Sequence, residues 1–254
     1  MFINNLNPVA LEIFSLKIHW YSLAYIFGII FGWIYCKKKL IEDKKILDLF
    51  DGLINYLIIG IIVGGRVGYI LIYNLDYYLA NISEILMIWK GGMSFHGGLV
   101  GIVVSTFIFS KKNNVNAFIF LDLIAIVAPI GIFLGRISNF INSELYGKES
   151  DIFWSVKFLA VDEVYRHPSQ IYEAIFEGIV LFLILNYLYR KKVLINPGVI
   201  SSIFLILYSV FRIIIEYFRE PDIQLGYLIF NLTMGQIVSI IFLIFGIYLF
   251  FKKK

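Results

Sequence analysis

The sequence predicts an all-α, polytopic membrane protein with about seven transmembrane helices and a small extracytoplasmic cap. Two observations support this prediction. The 254 residues are 60% hydrophobic and only 16% charged, whereas a soluble domain of this size carries about 25% charged residues. The hydrophobic residues also occur in long runs, which are typical of helices solvated by lipid. This composition excludes a disordered chain, a collagen-like repeat and a cytosolic enzyme.

Seven stretches are long and apolar enough to cross a bilayer, which takes about 20 apolar residues per helix. The third contains His96 and the fifth contains Glu173 and Glu177, so these two are the weakest by apolar length. The predicted spans lie near residues 18–36, 53–73, 94–110, 115–135, 170–189, 198–218 and 226–251.

The basic residues predict how these helices are oriented. Most of the 22 lysines and arginines lie after odd-numbered spans or before even-numbered ones, as in the runs at 37–39, 190–192 and 252–254. Because cytoplasmic loops are enriched in Lys and Arg, we expect the N-terminus outside and the C-terminus in the cytoplasm. The formal net charge of +4 then reflects topology, and no nucleic-acid partner is expected.

The longest break between spans, about 140–168, is predicted to form the outer cap, with irregular or partly stranded structure. No internal repeat or low-complexity segment divides the chain. Residues 1–254 are therefore expected to form a single integral membrane domain. Within the second span, Gly60, Gly64 and Gly68 make two G-x-x-x-G steps, which we interpret as a helix-packing surface.

Disulfide and metal chemistry are not expected. The chain has one cysteine, Cys36, and three histidines, too few for an internal disulfide, a multi-cysteine metal site or a histidine cluster. Cys36 follows bulky residues at the cytoplasmic end of the first span, so we interpret it as an inert buried thiol. No metal and no cofactor is predicted.

One face of the sixth span is polar. Tyr208, Arg212, Glu216 and Arg219 follow steps of 4, 4 and 3 residues, which confines them to an arc of about 80° on a helix. Charge at membrane depth costs about 2.5–3.5 kcal/mol per residue, so it marks a functional site by default. An Arg212–Glu216 pair alone fits a structural and a functional role equally well.

Additional arginines favour a function for this polar face. Arg219, together with Arg136 and Arg66 from other spans, predicts a surplus of positive charge that an anionic ligand from the outer half of the membrane would satisfy. We therefore include all of these arginines among the candidate substrate-binding residues. Glu173, at the edge of the fifth span, needs a partner, and the same arginines supply one.

The fourth span ends in GRISNFINSELYG, residues 135–147. Arg136 and Asn139 are i, i+3 neighbours if the helix persists, so both are expected to reach one phosphate group. An elaborate helix C-cap is the alternative.

In KGGMSFHGG, residues 90–98, His96 lies between two glycine pairs, and proton transfer, substrate orientation and a structural hydrogen bond all remain open for it.

These motifs resemble those of bacterial prolipoprotein diacylglyceryl transferases. The run from Gly135 to Gly147 is similar to that family's signature, except that Ser138 stands where glycine is usual. Ser209, after Tyr208, is a second small departure. Further similarity, in the expected order, lies in HWY at 19–21, GGRVGY at 64–69, MSFHGG at 93–98, HPSQIYE at 167–173 and FRIIIEYFREPD at 211–222.

The resemblance implies a transferase of the bacterial cytoplasmic (inner) membrane. The family transfers the diacylglyceryl group of phosphatidylglycerol to the lipobox cysteine of a preprolipoprotein signal peptide. This step forms a thioether, releases glycerol 1-phosphate and begins lipoprotein maturation. By the same resemblance, Arg136 and Arg212 match essential arginines, and Arg136 matches the one that binds phosphatidylglycerol. The other matching positions are Tyr21, His96, Asn139, Glu144, Gly147, Tyr208 and Glu216.

A transporter or flippase for an anionic lipid is the alternative class, because it would also place arginines and glycines at membrane depth. Against it, the sequence contains neither an internal repeat nor paired interrupted helices.

Overall fold

A computed structural model describes residues 1–14, 16–192, 196–221 and 226–254. The chain divides into two compact units. The first comprises Met1–Leu40 and Asp122–Lys254, and the second comprises Ile41–Leu121. The single integral membrane domain expected from the sequence stays a prediction.

The first unit is mainly helical. Helix α1 (Trp20–Tyr35) runs directly into a π-helical turn, Cys36–Leu40. A second π-helical stretch connects two α-helices without a break, so that one continuous helical segment runs from Ser169 to Arg190. The remaining helices of this unit are α5 (Ala117–Ile141, of which the part from Asp122 onward belongs to it), α6 (Ser169–Glu173), the π-helical stretch Ala174–Val180, α7 (Leu181–Arg190), α8 (Val199–Glu216), a short 3-10 helix (Ile229–Asn231) and α9 (Met234–Lys253).

Helix α5 is the centre of this unit. A Cβ atom added at Gly28 of α1 would lie 3.1 Å from the Cα atom of Gly131, and one added at Gly178 would lie 2.7 Å from the Cβ atom of Phe133. Near the start of α5, the Asp122 carboxylate accepts a hydrogen bond from the backbone N–H of Gly198 at 2.7 Å. It also accepts from the backbone N–H of Ser201 at 2.7 Å, an N–H in the first turn of α8 that has no partner within the helix. Helix α5 is thereby held against the elements that carry the candidate site.

Five short strands accompany these helices in the described chain. The first three, which precede α1, were not part of the all-α prediction. Strand β1 pairs in parallel with β4, which pairs antiparallel with β5, while β2 and β3 form an antiparallel hairpin. Strands β4 and β5 lie within 140–168, so this segment is partly stranded as expected. The strands are β1 (Phe2–Asn4), β2 (Val9–Ile13), β3 (Leu16–His19), β4 (Val156–Phe158) and β5 (Tyr165–Arg166).

The second unit contains α2 (Lys44–Tyr73), α3 (Leu75–Ala80) and α4 (Phe95–Lys112). Helix α2 begins nine residues before the predicted span, because Asp43 caps it by accepting from the backbone N–H groups of Lys45 and Ile46. Gly60, Gly64 and Gly68 lie against Gly97 and Gly101 of α4, where added Cβ atoms would overlap the opposing backbone. The packing role predicted for the G-x-x-x-G steps is therefore confirmed.

The protein is a polytopic membrane protein. Among the described residues, five helices are long and apolar enough to cross a bilayer: Lys44–Tyr73, Ala117–Ile141, Ser169–Arg190, Val199–Glu216 and Met234–Lys253. They coincide with five of the seven predicted spans. Helices α1 and α4 coincide with the other two, although α1 alone has 16 residues, and α4 includes several small and polar residues and ends in two lysines.

Candidate active site

The first unit brings three arginines and three glutamates together from several helices. The arginine on α5 is the most exposed, with 18% of its side chain accessible, and the others are buried, two of the glutamates completely. The members of this arginine–glutamate cluster are Arg136, Glu173, Glu177, Arg212, Glu216 and Arg219.

Glu173 lies between the arginines. Its Oε2 atom is 3.0 Å from Arg136 Nε, and its Oε1 atom accepts a hydrogen bond from Arg212 Nη1. Arg219 Nη1 lies 4.0 Å from the same oxygen. The sequence-based expectation that arginines would pair with Glu173 is confirmed. One carboxylate thus fixes the guanidinium groups of two helices relative to each other.

Glu177 is the residue that the sequence analysis left without a role. It stands one helical turn after Glu173, on the π-helical stretch, and its Oε2 atom accepts a hydrogen bond from Arg136 Nη2 at 3.4 Å. Its Oε1 atom lies 3.9 Å from Arg212 Nη1. The only signal in the sequence was a pair of glutamates at i, i+4 within an apolar span, which places both on one helix face.

Glu216 closes the cluster on the other side. Its Oε2 atom lies 2.8 Å from Arg212 Nη2 and 3.8 Å from Arg219 Nη1. The polar face predicted for the sixth span is therefore present. Tyr208, one turn before Arg212 on α8, lies within electrostatic range of Arg136 and the two fully buried glutamates.

The charge balance differs from the prediction. Three arginines face three carboxylates, so the cluster is formally neutral and carries no surplus of positive charge. The prediction omitted Glu177 and counted Arg66, whose guanidinium donates to backbone carbonyls of its own unit. In the described chain the hydrogen bonds and ion pairs of Arg136 use Nε and Nη2, which leaves the Nη1 end of its five-donor guanidinium for another acceptor.

A second polar group lies at the last turn of α5 and just after it. The Tyr21 hydroxyl donates to Glu144 Oε2 at 3.0 Å, and Asn139 Nδ2 donates to the same oxygen at 3.3 Å and contacts the Tyr21 hydroxyl. Helix α5 continues to Ile141, so Arg136 and Asn139 are i, i+3 neighbours on one helix, as expected. The fold thus brings Tyr21, from the first predicted span, into one hydrogen-bonded group with Asn139 and Glu144 of the 135–147 motif.

Gly147 lies in a tightly packed backbone crossing. Its N–H donates to the carbonyl of His167 at 3.0 Å, and an added Cβ would lie 2.7 Å from the carbonyl oxygen of Phe218. Arg166 Nη1 donates to the Gly147 carbonyl at 3.3 Å. Arg166 in turn pairs with Asp162 at 2.6 Å, and its hydrogen bonds lower the pKa of that carboxyl. The close contacts with His167 and Phe218 explain why glycine is required at 147. A substrate-binding role for Gly147 stays a prediction.

Arg66 is buried in the second unit and bound to backbone carbonyls. Its Nη1 donates to Gly91 at 2.6 Å, its Nη2 to Glu84 at 2.6 Å and its Nε to Ile85 at 2.8 Å. Its guanidinium also stacks over the ring of Tyr78 at 5.0 Å. These contacts favour a structural role, and its assignment to substrate binding stays a prediction without support from them.

His96 also belongs to the second unit. It occupies the first turn of α4, after the cap residue Ser94, and is half-buried. The hydrogen bonds of the described residues include none to its ring, and its ring contact is with Phe95 at 5.7 Å. Of the alternatives left open by the sequence, a structural hydrogen bond finds no support in these contacts.

Comparison with known proteins adds to this geometry. The family model described as prolipoprotein diacylglyceryl transferase matches residues 8–252. The chain belongs to this family. Proteins called phosphatidylglycerol–prolipoprotein diacylglyceryl transferase are similar to it along almost their whole length. The one from Rickettsia bellii (strain OSU 85-389) is 49% identical over 98% of this chain and 96% of its own.

Two further diacylglyceryl transferases support the same conclusion. The one from Rickettsia typhi is 49% identical over 98% of this chain and 97% of its own, and the one from Ehrlichia canis is 48% identical over 96% and 94%. The family resemblance drawn from the motifs is therefore confirmed, and the chain is a transferase. Of those motifs, the one at 211–222 ends in Asp222, which lies outside the described residues.

Cys36, the single thiol, is completely buried in this transferase. Its Sγ atom lies 3.8 Å from the carbonyl oxygen of Leu123 on α5. The prediction that it is a buried thiol is confirmed.

Proposed function

We propose that this chain transfers the diacylglyceryl group of phosphatidylglycerol to the lipobox cysteine of a preprolipoprotein signal peptide. The cysteine sulfur forms a bond to the terminal glycerol carbon of the diacylglyceryl group, and the bond from that carbon to the phosphate oxygen breaks. The thiol proton passes to a base, and glycerol 1-phosphate leaves. The products are a thioether-linked lipid on the peptide and the phosphate monoester.

The observation that carries the proposal is the arginine–glutamate cluster at membrane depth in a chain of this family. A phosphate diester needs cationic donors, and arginine provides them in a planar fork that fits phosphate oxygens. Arg136 is the most exposed of the three arginines and has its Nη1 end available. We assign the headgroup phosphate to Arg136 and Asn139, and the charge that develops on the leaving group to Arg136 and Arg212.

Because the formal charges of the cluster balance, an incoming phosphate has to share an arginine with the glutamates. Bidentate phosphate and carboxylate groups are interchangeable partners of a guanidinium, so a headgroup phosphate would share Arg136 with Glu173 and Glu177. The glutamates hold the arginine side chains in place before the lipid arrives, which is a form of electrostatic preorganisation. Preorganised donors of this kind supply about 3–4 kcal/mol of transition-state stabilisation each.

The nucleophile must also be activated. Forming a thiolate at pH 7 from a thiol with a pKa of about 8.5 costs roughly 2 kcal/mol. We assign thiol deprotonation to His96, because the family resemblance matches it to a functional position and a neutral imidazole can accept a proton. The group formed by Tyr21, Asn139 and Glu144 is assigned to orienting the substrate, with Tyr208, Gly147 and Arg219 as further contacts.

The proposed topology has seven membrane spans, with α1 continued by Cys36–Leu40 and α4 added to the five long apolar helices. The lysine runs then place the C-terminus in the cytoplasm and the N-terminus outside. The segment 140–168 would form the extracytoplasmic cap. This arrangement fits the cytoplasmic membrane of a bacterium, where phosphatidylglycerol and signal peptides meet.

The decisive experiment is incubation of the purified protein with phosphatidylglycerol vesicles and a lipobox peptide. We expect mass spectrometry to find a thioether-linked diacylglyceryl peptide together with one equivalent of glycerol phosphate. Lipid translocation across the vesicle membrane without such a product would instead indicate a transporter or flippase. A peptide with serine in place of the lipobox cysteine is the matched control and should yield no product.

The assignment of His96 is tested by the variant His96→Gln. Because glutamine can orient a substrate but cannot accept the thiol proton, we expect a large loss of transfer at pH 7 that diminishes as rising pH ionises the thiol without a base. The measurement is the transfer rate between pH 6 and pH 9. An unaltered rate and pH profile would remove His96 from proton transfer.

A further inference from the structure

The start of α9 lies directly against the arginine–glutamate cluster. The hydroxyl of Thr233, the N-cap of this helix, donates to Glu216 Oε1 at 2.8 Å. The same hydroxyl oxygen accepts a hydrogen bond from the backbone N–H of Gln236 at 3.2 Å. A hydroxyl has one proton and two acceptor lone pairs, so Thr233 can donate to the carboxylate and accept from the backbone at the same time. All three residues are buried.

The capping box fixes this hydroxyl. The Gln236 side chain accepts from the backbone N–H of Thr233 at 3.1 Å, which completes the reciprocal arrangement with the Thr233 side chain. Such a box holds the backbone and side chain of the N-cap residue in one conformation. The donor to Glu216 is thus rigid.

Gly235 provides the space for the carboxylate. A Cβ atom added there would lie 2.7 Å from Glu216 Oε1, 2.9 Å from its carboxyl carbon and 3.0 Å from Oε2. Real Cβ atoms are not found this close to neighbouring atoms, so any side chain at 235 would displace the carboxylate. Gly235 does not have a positive φ angle, so close approach is what requires glycine here.

We propose that Thr233 and Gly235 are positioning residues for the transfer reaction. They hold the Glu216 carboxylate, which in turn orients Arg212 through the 2.8 Å contact between Oε2 and Nη2. Neither residue carries a charge or touches an arginine in the described contacts, so they act through Glu216. This inference rests on the proposed function, because the role of Arg212 at the leaving phosphate is part of it.

An ordinary helix cap is the competing explanation, and one substitution separates the two. Aspartate is as good an N-cap as threonine, because its side-chain oxygen accepts from the Gln236 N–H. An ionised aspartate at 233 cannot donate to Glu216, and it adds a like charge beside that carboxylate. Thr233→Asp therefore retains the cap and loses the positioning contact, while Thr233→Ser retains both.

The experiment measures kcat and KM for phosphatidylglycerol in the peptide transfer assay, first with the unaltered protein. No transfer by that protein would refute the proposed function itself. Given transfer, we expect Thr233→Ser to stay within about twofold, and Thr233→Val and Thr233→Asp to lower kcat by about tenfold or more with little change in KM. Thr106→Val is the control for the loss of a buried threonine hydroxyl. Thr106 is also buried, but its hydroxyl donates within its own helix, to the carbonyl of Ile102.

The glycine is tested by comparing Gly235→Ala with Gly246→Ala on the same helix. An alanine at 246 would meet the apolar side chains of Leu205 and Ile206 at 3.0 Å. We expect Gly246→Ala to lower the thermal unfolding temperature while kcat stays within about twofold, and Gly235→Ala to lower kcat about tenfold.

The inference fails if Thr233→Asp transfers at the unaltered rate, or if Gly235→Ala lowers kcat no more than Gly246→Ala. Circular dichroism and thermal unfolding in detergent identify any variant that does not fold. If Thr233→Val is such a variant, the comparison of Thr233→Ser with Thr233→Asp decides the question, because both retain the cap.

Discussion

Buried arginines occur in both units, and their partners differ. In the first unit, Arg136 and Arg212 face the carboxylates of Glu173, Glu177 and Glu216. In the second unit, the Arg66 guanidinium faces backbone carbonyls of the segment that precedes α4. Arg66 and Arg212 are similarly buried, so the acceptors distinguish the two regions.

The acceptors decide what each arginine can do. A backbone carbonyl belongs to the fold, so a ligand cannot take its place without unfolding the segment. A carboxylate is a side chain of the same charge and geometry as a phosphate edge, so a phosphate can share or replace it. Arg66 therefore serves as a clamp for the chain between α3 and α4, whereas the arginines of the cluster are suited to an exchangeable anion.

Removing the central carboxylate should have the largest effect. Glu173→Ala leaves two arginines without their shared partner in a buried site, and breaking a buried ion pair in this way costs about 3–5 kcal/mol. We expect a large fall in the thermal unfolding temperature in detergent and no detectable transfer. Glu163→Ala, at a position with 81% of its side chain exposed, is the control and should change stability by less than about 0.5 kcal/mol. Equal stability of the two variants would contradict the importance of the cluster.

Lysine substitutions sharpen the comparison between the regions. Arg136→Lys keeps a charge beside Glu173 but loses the planar fork, so we expect kcat to fall by about a hundredfold or more with a small loss of stability. Arg66→Lys loses several bonds to carbonyls and should lower the free energy of unfolding by about 1–3 kcal/mol. Transfer kinetics and thermal unfolding of both variants provide the measurement. Near-normal transfer by Arg136→Lys would refute the bidentate assignment.

Glycine substitutions test packing in the same two units. An alanine at Gly64 would overlap the backbone of Gly97 and lie 2.8 Å from the Cα atom of Gly101, and overpacking of this kind costs about 1–3 kcal/mol. At Gly131 of α5 an added Cβ meets nothing within 4 Å, so Gly131→Ala should be neutral or stabilise the helix by up to about 1 kcal/mol. The order of the two unfolding temperatures checks this expectation.

The smallest effect concerns pH and the Asp162–Arg166 pair. Because Arg166 lowers the pKa of Asp162 in the folded protein, the unfolded chain binds the proton more readily as pH falls. The contribution of the pair is present above the ordinary Asp pKa of about 3.9 and is lost as pH falls through the lower folded value. We expect Asp162→Asn to lower the free energy of unfolding at pH 7 by less than about 1 kcal/mol, which a slightly lower unfolding temperature would show. The variant should also lose this acid dependence. An unchanged acid profile would show that the pair contributes nothing.

The helices themselves could be predicted in large part from the sequence. The hydrophobic runs predicted the five long apolar helices, and helical periodicity predicted that Arg212 and Glu216 lie on one face of α8. The glycine spacing in α2 indicated close packing against another helix. These features depend on residues near one another in the chain, and local spacing is the information that a single sequence contains.

The membrane environment, the polar face of α8 and the family were determined by the sequence alone. The tertiary structure decided which charges meet: Glu177 joined the cluster, Arg66 bound carbonyls of its own unit, and Thr233 with Gly235 came to hold Glu216. The reason is physical. Periodicity gives the direction of a side chain around its own helix, but the partner that it meets depends on how helices distant in sequence pack and on which buried polar groups must be satisfied there.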